Sequence, residues 1–243
     1  MDKLRHVKWK LSHDWSLRFS LIRSVKNWHQ FLFFQGGIMR LRRGPDFHVR
    51  GYADICIVDE VLFRDSYQLR TIGFVPKRII DVGAHIGSFS TLAAMLFPTA
   101  EIIAVEPEKQ NYRLLQENAP RNAQLRNEAV SDKEGNVTLH IGKNNGAQHS
   151  ITSSFGAGKL HEGTQEVAAF PLSHYGPADL IKIDCEGGEY AILKDTLPNA
   201  KAIILEIHDL DDGQKPRLLE RLVQKYDVRF LFSDRTMLLT SHL

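Results

Sequence analysis

From residue 78 onward the sequence alternates short apolar runs with longer stretches of helical periodicity. This alternation is typical of a parallel β-sheet whose strands are connected by crossover helices. We predict seven strands, at Arg78–Val82, Glu101–Val105, Gln124–Glu128, Leu180–Asp184, Ala202–Ile207, Asp227–Leu231 and Met237–Thr240. An open sheet of this kind binds its ligands beyond the carboxyl ends of the strands, where the strand order reverses. The candidate functional residues are therefore those that follow the apolar runs.

The segments between these strands predict helices at Ser88–Phe97, Lys109–Asn118, Tyr190–Leu197 and Pro216–Lys225. Val137–Ile141 and Glu166–Phe170 are predicted as extra strands around a loop at 142–164 that is rich in Gly, Ser, Asn and His. This loop is too long for an ordinary connection, so it is interpreted as a lid or as a disordered segment. The sequence therefore predicts an α/β fold over residues 75–243, with a doubly wound, mostly parallel seven-stranded sheet.

The beginning of the chain differs from the rest in charge. Residues 1–50 contain 11 Lys or Arg against 3 Asp or Glu, a net charge of +8, whereas the remaining residues contain 20 against 26, a net charge of −6. All three Trp residues also lie there. Apolar residues spaced by threes and fours define one face of a helix, namely Leu4, Val7, Leu11, Trp15, Phe19 and Ile22. Such a helix docks on its own domain, on an anionic membrane or other polyanion, or on a partner chain.

A hairpin and a second helix are predicted for the rest of this segment. Loose alternation around Gly44-Pro45 pairs Ile38–Arg42 with His48–Tyr52, and the pattern at Val61–Thr71 is helical. At 243 residues the chain fits one domain with an appendage. We therefore predict a basic extension of helices and a hairpin at residues 1–74, followed by the sheet domain.

Several classes of protein are excluded by simple features. No apolar run reaches the roughly 20 residues that a bilayer span needs, and the basic N-terminus lacks the apolar core of about 7–15 residues that marks a secretory signal. Cys56 and Cys185 lie far apart with no CxxC pair, which excludes a disulfide scaffold and a cysteine-rich zinc module and fits a reducing compartment. We predict a cytoplasmic protein, with peripheral contact at the inner face of the membrane through the Trp-rich N-terminus as an alternative. The oligomeric state stays open.

The segment Asp81-Val82-Gly83-Ala84-His85-Ile86-Gly87 directly follows the first predicted strand and opens a helix. Gly83 and Gly87 allow the backbone to turn tightly and to approach a ligand. The spacing is not the GxGxxG of dinucleotide-binding loops, and no GK[ST] ending marks a phosphate cradle. Asp81 would repel a pyrophosphate but can accept from an ammonium or hydroxyl group, which suits S-adenosylmethionine. The alternative is a tight strand-to-helix turn capped by Asp81.

The next two strand ends predict the adenosine contacts. Glu106 ends the second strand, 19 residues after the glycine loop, and its carboxylate can accept both ribose hydroxyls. Pro107 restricts Glu106 to extended backbone, which sets the direction of its side chain. Asn127–Asp132 follows the third strand, and its polar groups can reach an edge of the adenine. Ala129 and Val130 within it are candidate cofactor contacts. A simple turn is the alternative for this segment.

The later strands end in acidic residues and a histidine. Leu180–Glu189 brings Asp184, Glu186 and Glu189 to the ligand edge, and His208 follows the next strand. Clustered carboxylates repel one another, so one of them can have a raised pKa and act as a base, and imidazole is a natural base near neutral pH. We predict that Asp184 or His208 is the base that takes a proton from the substrate and that Glu186 orients the substrate. Alternatively, Glu186 or Glu189 only complements the next helix, and no metal ion is expected.

Four motifs in order resemble the FkbM family of S-adenosylmethionine-dependent methyltransferases: DVGAHIG (81–87), AVEP (104–107), NEAVSDKEG (127–135) and LIKIDCEGGEYAIL (180–193). The resemblance implies a class I, Rossmann-like methyltransferase fold with S-adenosylmethionine as cofactor. It also implies methylation of a hydroxyl group on a sugar, a polysaccharide or glycolipid intermediate, or a macrolide-like natural product. Cofactor roles at matching positions fall to Asp81, Gly83, Gly87 and Glu106.

The sequence departs from that family at two places. His85, a further candidate cofactor contact, stands where Asn is commoner, and Leu172-Ser173 stands where Leu-Asp is usual. Competing functions are an RNA or protein methyltransferase and a non-catalytic protein that binds a partner or a membrane. The basic N-terminus favours RNA among these. Carboxylates at the acceptor edge disfavour a polyphosphate backbone, so no nucleic-acid partner is expected. The wrong glycine spacing makes an NAD-dependent oxidoreductase a more distant alternative.

Overall fold

The computed structural model describes residues 15–142, 161–208, 213–231, 233 and 235–241. Its first elements are helix α1 (15–24), strand β1 (Gln35–Arg40), strand β2 (Asp46–Gly51) and helix α2 (Tyr52–Ile57), which continues into a π-helical turn at Val58–Phe63. Strands β1 and β2 form an antiparallel hairpin in which Ile38 pairs with His48. This hairpin lies where the alternation around Gly44-Pro45 predicts one.

The helix predicted at Val61–Thr71 is wrong. Helical backbone begins earlier, at α2, and is interrupted because Asp65 and Gln68 both have a left-handed φ of 53°. The Asp65 carboxylate accepts hydrogen bonds from the N–H groups of Leu69 and Arg70 at 2.7 and 2.9 Å. This side chain therefore stabilises a separate short turn instead of a continued helix.

The central sheet contains β3 (Arg78–Val82), β4 (Glu101–Val105), β5 (Ala123–Arg126), β9 (Leu180–Ile183), β10 (Ala202–Glu206), β11 (Tyr226–Phe230) and β12 (Thr236–Ser241). Its strand order is β5-β4-β3-β9-β10-β12-β11. The first five strands are parallel, and β12 is antiparallel to both of its neighbours. The predicted doubly wound, mostly parallel sheet of seven strands is confirmed. The strand order reverses between β3 and β9, which marks the ligand-binding edge.

A smaller sheet, in the order β6-β8-β7, consists of β6 (Ala129–Ser131), β7 (Gly135–Gly142) and β8 (His161–Pro171). The extra strands predicted at Val137–Ile141 and Glu166–Phe170 correspond to β7 and β8. Of the predicted loop at 142–164, residues 161–164 belong to β8, and residues 143–160 lie outside the described residues. The predicted lid therefore also lies outside them.

The helices that connect the strands of the central sheet are α3 (Ser88–Leu96), α4 (Lys109–Asn118), α5 (Glu189–Ile192) and α6 (Gln214–Lys225). The helix predicted at Tyr190–Leu197 is wrong in length, because α5 ends five residues earlier. Beyond α5, the carbonyl oxygens of Leu193 and Leu197 accept hydrogen bonds from the side chains of Arg221 and Lys225 on α6. Side chains of α6 thus satisfy carbonyl groups of the segment that the local pattern predicts to be helical.

Helix α1 docks on the rest of the chain through two fully buried leucines. Leu17 and Leu21 belong to an apolar cluster that also contains Ile79 of β3 and Phe89 of α3. The N-terminal extension and the sheet domain therefore share one core. Their division at residue 74 stays a prediction.

The docked face of α1 is not the stripe that the spacing by threes and fours singles out. Trp15, Phe19 and Ile22 are 69%, 61% and 40% exposed, and the other members of the stripe lie outside the described residues. The periodicity finds an apolar face, but packing uses the leucines on the opposite side. The prediction that this stripe docks on the domain is therefore wrong for its described members.

In the part of the chain that the structure describes, no helix combines the length and the apolar character needed to cross a bilayer. Cys56 and Cys185 are not joined by a disulfide bond. The cellular compartment stays a prediction.

Candidate active site

The glycine loop after β3 is tied to the ends of both neighbouring strands. The N–H groups of Gly83 and Ala84 both donate to the Val105 carbonyl oxygen of β4, each at 3.0 Å. Gly83 has a φ of +75°, and a Cβ atom there would lie 1.9 Å from the carbonyl oxygen of Asp184, which follows β9. Only glycine satisfies both the backbone angle and the close approach. Glycine at position 83 therefore allows the ends of β3 and β9 to lie this close together.

Asp81 and Gly87, two of the predicted cofactor contacts, support the loop from outside the cavity wall. Asp81 is fully buried, accepts a hydrogen bond from Ser90 Oγ at 2.7 Å, and has Lys182 Nζ 3.5 Å from its other carboxylate oxygen. Burial raises the pKa of Asp81, which the ammonium and the hydroxyl group counteract in part. Gly87, with a φ of +94°, directly precedes α3 and leaves room for Leu115. A direct contact of either residue with the cofactor stays a prediction.

A cavity of about 320 Å³ opens at the carboxyl ends of β3, β4, β9 and β10. The predicted site residues that line it are Gly83, His85, Glu106, Ala129, Val130, Asp184, Glu186 and His208. Its volume is that of a small-molecule site. The structure therefore brings five of the seven predicted cofactor residues to the same cavity as the three predicted catalytic residues.

Glu106 is held at the end of β4 by donors on both carboxylate oxygens. Its Oε2 accepts from the N–H of His85 at 2.8 Å, and its Oε1 accepts from the N–H of Glu108 at 3.0 Å and from the Asn111 amide at 3.4 Å. Burial raises the pKa of Glu106 to about 7, although these donors favour the ionised form. Because a carboxylate oxygen can accept two hydrogen bonds, Oε2 can also accept one from a ribose hydroxyl.

Ala129 and Val130 form the apolar wall next to Glu106. They belong to β6, and Asn127 holds this strand near β4 by donating to the carbonyl oxygens of Glu106 and Pro107 at 2.9 and 3.0 Å. The segment is therefore more than a simple turn. An apolar wall at this position is compatible with an adenine ring, whereas the sequence predicts a contact with polar groups.

Ser88 is a cavity residue that sequence reasoning missed. It is 3% exposed, and its Oγ has no hydrogen-bond partner among the described residues. Buried hydroxyl groups are nearly always hydrogen-bonded. The orphan hydroxyl at the N-terminus of α3, where N–H groups favour a carboxylate, fits the amino-acid end of S-adenosylmethionine.

His85 connects the cofactor loop to the N-terminal extension. Its backbone has a left-handed φ of 52°, and its Nε2 lies 3.4 Å from the guanidinium of Arg50. Arg50 in turn binds the buried carboxylate of Asp54 through two contacts of 2.8 Å. Neither residue carried a sequence signal for the site, because their relation to His85 depends on how β2 and α2 pack.

Asp184 lies directly after β9, where its neighbours favour the ionised form. The Tyr67 hydroxyl donates to Oδ2 at 3.0 Å, and Lys182 Nζ lies 3.6 Å from the same oxygen. Burial alone would raise the pKa of Asp184, but Lys182, His208 and Tyr67 lower it below its usual value. Asp184 is therefore a carboxylate at neutral pH, and its side chain is still 26% exposed.

His208 is surrounded by carboxylates. Its Nδ1 lies 3.0 Å from Glu189 and its Nε2 lies 3.7 Å from Glu186. Burial alone would lower its pKa, but Glu189, Asp184 and Glu186 raise the pKa of His208 to about 10. Among these neighbours the ring is therefore protonated at neutral pH and acts as a hydrogen-bond donor.

Asp184, Glu189 and His208 each place a possible ligand atom within 4.8 Å of the others. Glu189 already accepts hydrogen bonds from the N–H groups of Cys185 and Gly187 at 3.0 and 2.9 Å, besides facing His208. Burial raises the pKa of the Cys185 thiol well above its usual range, which makes it a poor metal ligand. Glu189 and His208 are thus joined by a hydrogen bond, whereas Asp184 interacts with His208 through charge.

Two further carboxyl groups that were not predicted as site residues complete this end of the cavity. Glu60 comes from the π-helical turn after α2, and Glu206 ends β10. Burial and the charge of Asp184 raise the pKa of Glu60. Burial, Asp184 and Glu60 together raise the pKa of Glu206 to about 8. Glu206 could have been predicted as a site residue because it lies two positions before His208. Glu60 could not, because it lies far in sequence from every predicted site residue.

A family model described as the methyltransferase FkbM domain matches residues 81–241. A comparison with curated proteins finds no match. Among solved structures, the chain is similar to precorrin-6y C5,15-methyltransferase from Geobacter metallireducens, at 16% identity over 67% of this chain and 76% of that chain, with a TM-score of 0.35. Podospora anserina methyltransferase PaMTH1, solved with SAH bound, has 14% identity over 79% and 78%, with a TM-score of 0.38. M. jannaschii TYW2, solved with AdoMet, has 12% identity over 85% and 84%, with a TM-score of 0.41.

A mostly parallel seven-stranded sheet, with a glycine loop after β3 and an acidic residue after β4, defines a class I methyltransferase. The chain belongs to the FkbM methyltransferase family, whose model covers most of the sheet domain. It is a methyltransferase, and S-adenosylmethionine is its cofactor. The predicted family, fold and cofactor are confirmed.

Proposed function

We propose that the chain transfers a methyl group from S-adenosylmethionine to a hydroxyl group of a sugar, a polysaccharide or glycolipid intermediate, or a related natural product. The supporting observation is the ionised Asp184 in a cavity that Glu60, Glu186 and Glu206 also line. Carboxylates are hydrogen-bond acceptors, and a polyhydroxylated ring offers several donors in a small volume. Such a site favours a polyol over an anionic acceptor, which the carboxylates would repel.

The cofactor half of the cavity has a partner for each part of S-adenosylmethionine. Glu106 accepts from the ribose hydroxyls, Ala129 and Val130 flank the adenine, and Ser88 binds the amino-acid end. When bound, the cofactor supplies an electrophilic methyl carbon on its sulfonium. The residues of the cavity hold the acceptor oxygen in line with that carbon, and such positioning lowers a barrier by several kcal/mol.

Asp184 is the proton acceptor in this proposal. It is ionised at neutral pH and remains reachable from the cavity. A sugar hydroxyl is a weak nucleophile until its proton leaves, and a positioned base contributes roughly 10²–10⁴-fold to the rate. His208, the other predicted base, is already protonated among its carboxylate neighbours, so here it orients Asp184 and Glu186 by charge.

Glu60, Glu186 and Glu206 orient the acceptor. The pKa of Glu206, about 8, keeps much of this group protonated at neutral pH. Burial and the charge of Asp184 raise the pKa of Glu60 as well. A protonated carboxyl group both donates and accepts a hydrogen bond. This combination matches adjacent hydroxyl groups of a sugar ring, which also do both.

The competing functions are an RNA or protein methyltransferase and a non-catalytic binding protein. Enzymes that methylate base amino groups usually have a (D/N)PP(Y/F) segment after the fourth strand, where this chain has DCEGGE at 184–189. The acceptor half of the cavity, which consists of Glu60, Asp184, Glu186, Glu206 and His208, is acidic and also opposes a phosphate backbone. The presence of Gly83, Glu106 and Asp184, which have roles in cofactor binding and proton transfer in this proposal, argues against a non-catalytic protein.

The test follows the transfer of a labelled methyl group from S-adenosylmethionine into a panel of glycans, glycolipids and hydroxylated natural products, with RNA and protein in parallel. We expect label in a polyol, and its loss in Asp184→Asn, which preserves the shape of the side chain. Calorimetry with S-adenosylhomocysteine provides the control that both proteins bind the cofactor site. Label in RNA or protein would contradict the proposed acceptor. Tight cofactor binding without label in any acceptor would favour the non-catalytic function.

A further inference from the structure

Helix α1 presents an apolar stripe to solvent. Trp15, Phe19 and Ile22 are spaced by four and three residues, which places them on one helix face, and they are 69%, 61% and 40% exposed. The opposite face is anchored by the fully buried Leu17 and Leu21. The helix is therefore docked through its leucines, and the stripe is an apolar surface that is not packed into the core of the protein.

Each residue of this stripe has an arginine next to it. The guanidinium of Arg18 lies 5.7 Å from the centre of the Trp15 ring, and that of Arg23 lies 5.9 Å from the centre of the Phe19 ring. Arg42, from the connection between β1 and β2, donates to the carbonyl oxygen of Ile22 at 3.3 Å. Cationic groups from two separate elements thus border the apolar residues.

The surrounding sequence carries charge of one sign only. Residues 15–45 contain six Lys or Arg and no Asp or Glu. Besides the arginines at the stripe, these are Lys26, Arg40 and Arg43, all exposed. The excess of positive charge is confined to the beginning of the chain, since acidic residues outnumber basic ones after residue 50. This region therefore attracts an anionic partner locally, despite the small net charge of the whole chain.

We propose that the α1 surface, formed by Trp15, Phe19 and Ile22 with Arg18, Arg23 and Arg42, docks on an anionic lipid bilayer. An amphipathic helix that lies in the membrane interface buries its apolar side near the acyl chains, while arginines reach the phosphates of the headgroups. Tryptophan is enriched at that depth. A nucleic acid would satisfy the arginines but would leave Phe19 and Ile22 in water. The inference goes beyond the proposed reaction and does not depend on the acceptor.

The first test is cosedimentation of the full chain with vesicles of phosphatidylcholine alone and of phosphatidylcholine mixed with phosphatidylglycerol. We expect binding to the mixed vesicles. In Phe19→Glu the affinity for them should fall roughly 10-fold or more, because a charge replaces an aromatic side chain that the bilayer buries in the wild type. Since Phe19 points into solvent, the unfolding midpoint should not change. The matched control is Val223→Glu on α6, where the wild-type side chain is 55% exposed and binding should be retained.

The second test separates the charges from the apolar stripe. Arg23→Gln should weaken binding to the mixed vesicles by about 5-fold, which is the contribution of one cation near an anionic surface. Equal loss in Phe19→Glu and Val223→Glu would overturn the proposal, because any added negative charge would then have the same effect. Absence of binding to the mixed vesicles would overturn it as well.

The third test reads the depth of Trp15 directly. In the double variant Trp9→Phe, Trp28→Phe, Trp15 is the one remaining tryptophan, and its fluorescence should shift to shorter wavelength on the mixed vesicles. An unshifted spectrum with vesicle binding would show that another part of the chain makes the contact. A concentration-dependent dimer that Phe19→Glu abolishes would instead assign the α1 surface to a second copy of the chain, and either result would overturn the proposal.

Discussion

The cofactor half and the acceptor half of the cavity are held by different kinds of interaction. In the cofactor half, Gly83 and Glu106 are placed by hydrogen bonds with backbone groups of adjacent loops and strand ends. In the acceptor half, Asp184 is placed by side chains, the Tyr67 hydroxyl and the Lys182 ammonium. The first arrangement depends on backbone shape. The second depends on a balance of charges that a single substitution can change.

The pKa values of the ionisable groups in the two halves also have different causes. In the cofactor half, burial raises the pKa of Glu106 to about 7. In the acceptor half, neighbouring charges act together with burial at Glu206, whose pKa is about 8. They outweigh burial at His208, whose pKa is about 10, and at Asp184, whose pKa is lowered. A substitution in the acceptor half therefore changes the pKa values of several groups at once.

The largest expected effect is on catalysis in the acceptor half. Asp184→Asn removes the proposed proton acceptor and should lower the rate of methyl transfer by roughly 10²–10⁴-fold. Affinity for S-adenosylhomocysteine should change little, because the cofactor half does not use this carboxylate. Single-turnover rates and calorimetry on the same protein measure both quantities. A large loss of cofactor affinity would break the separation of the two halves.

The next effect tests the backbone shape of the cofactor half. Gly83→Ala combines a left-handed φ with a Cβ atom 1.9 Å from the Asp184 carbonyl oxygen, and should lower the free energy of unfolding by roughly 2–5 kcal/mol. Gly73→Ala is the matched control, since Gly73 has a φ of +87° but no atom within 4 Å of the place where a Cβ would lie. Denaturant unfolding of both variants isolates the cost of the contact. Equal destabilisation would mean that the close approach of β3 and β9 is unimportant.

A smaller effect concerns the ribose contact. Glu106→Ala should weaken binding of S-adenosylhomocysteine by about 1.5–3 kcal/mol, the range for a hydrogen bond to a charged group. Because the pKa of Glu106 is about 7 and hydroxyl donors favour the ionised form, wild-type affinity should rise from about pH 6 to about pH 8. Calorimetry across this range should find no such rise in Glu106→Ala. Glu134→Ala, at an exposed position, serves as the control that should retain the wild-type profile.

The smallest effect is a pH dependence of stability in the acceptor half. The folded-state pKa of Glu206, about 8, is above the ordinary value of 4.5, so folding favours its protonated form. Its contribution to stability is complete below about pH 4.5 and is lost as the pH rises through about 8. Glu206→Gln should therefore be more stable than wild type at about pH 9 by about 1 kcal/mol, or roughly 2–4 °C in Tm.

Thermal scans at several pH values test this expectation. The exposed Glu220→Gln on α6 is the reference for the general effect of removing a carboxylate. If both variants follow wild type at every pH, the charge balance described for the acceptor half is incorrect.

The central sheet and the cofactor half were predictable because their signals are local. Each strand is a short apolar run, and Gly83 and Glu106 directly follow such runs. Parallel strand ends meet at one edge, so Asp184 and His208 could also be expected in one cavity. Ser88 opens the helix after the glycine loop, but its orphan hydroxyl is visible only when the neighbouring atoms are in place.

The parts that were not predictable depend on packing between segments. Glu60 and Tyr67 reach the acceptor half because α2 and its π-helical turn dock against the sheet domain. The helix predicted at Val61–Thr71 fails because Asp65 satisfies other N–H groups. On α1, periodicity finds the apolar stripe, but which apolar residues are buried depends on the surface against which the helix lies.

The amino-acid sequence by itself determined the family, the cofactor and the order of strand ends that form the site, because these depend on residues close together along the chain. The tertiary structure decided the charge state of the acceptor half, since Asp184, Glu206 and His208 acquire their pKa values from burial and from one another. It also decided which face of α1 remains exposed. Electrostatic and packing energies depend on distances between remote segments, which no local pattern records.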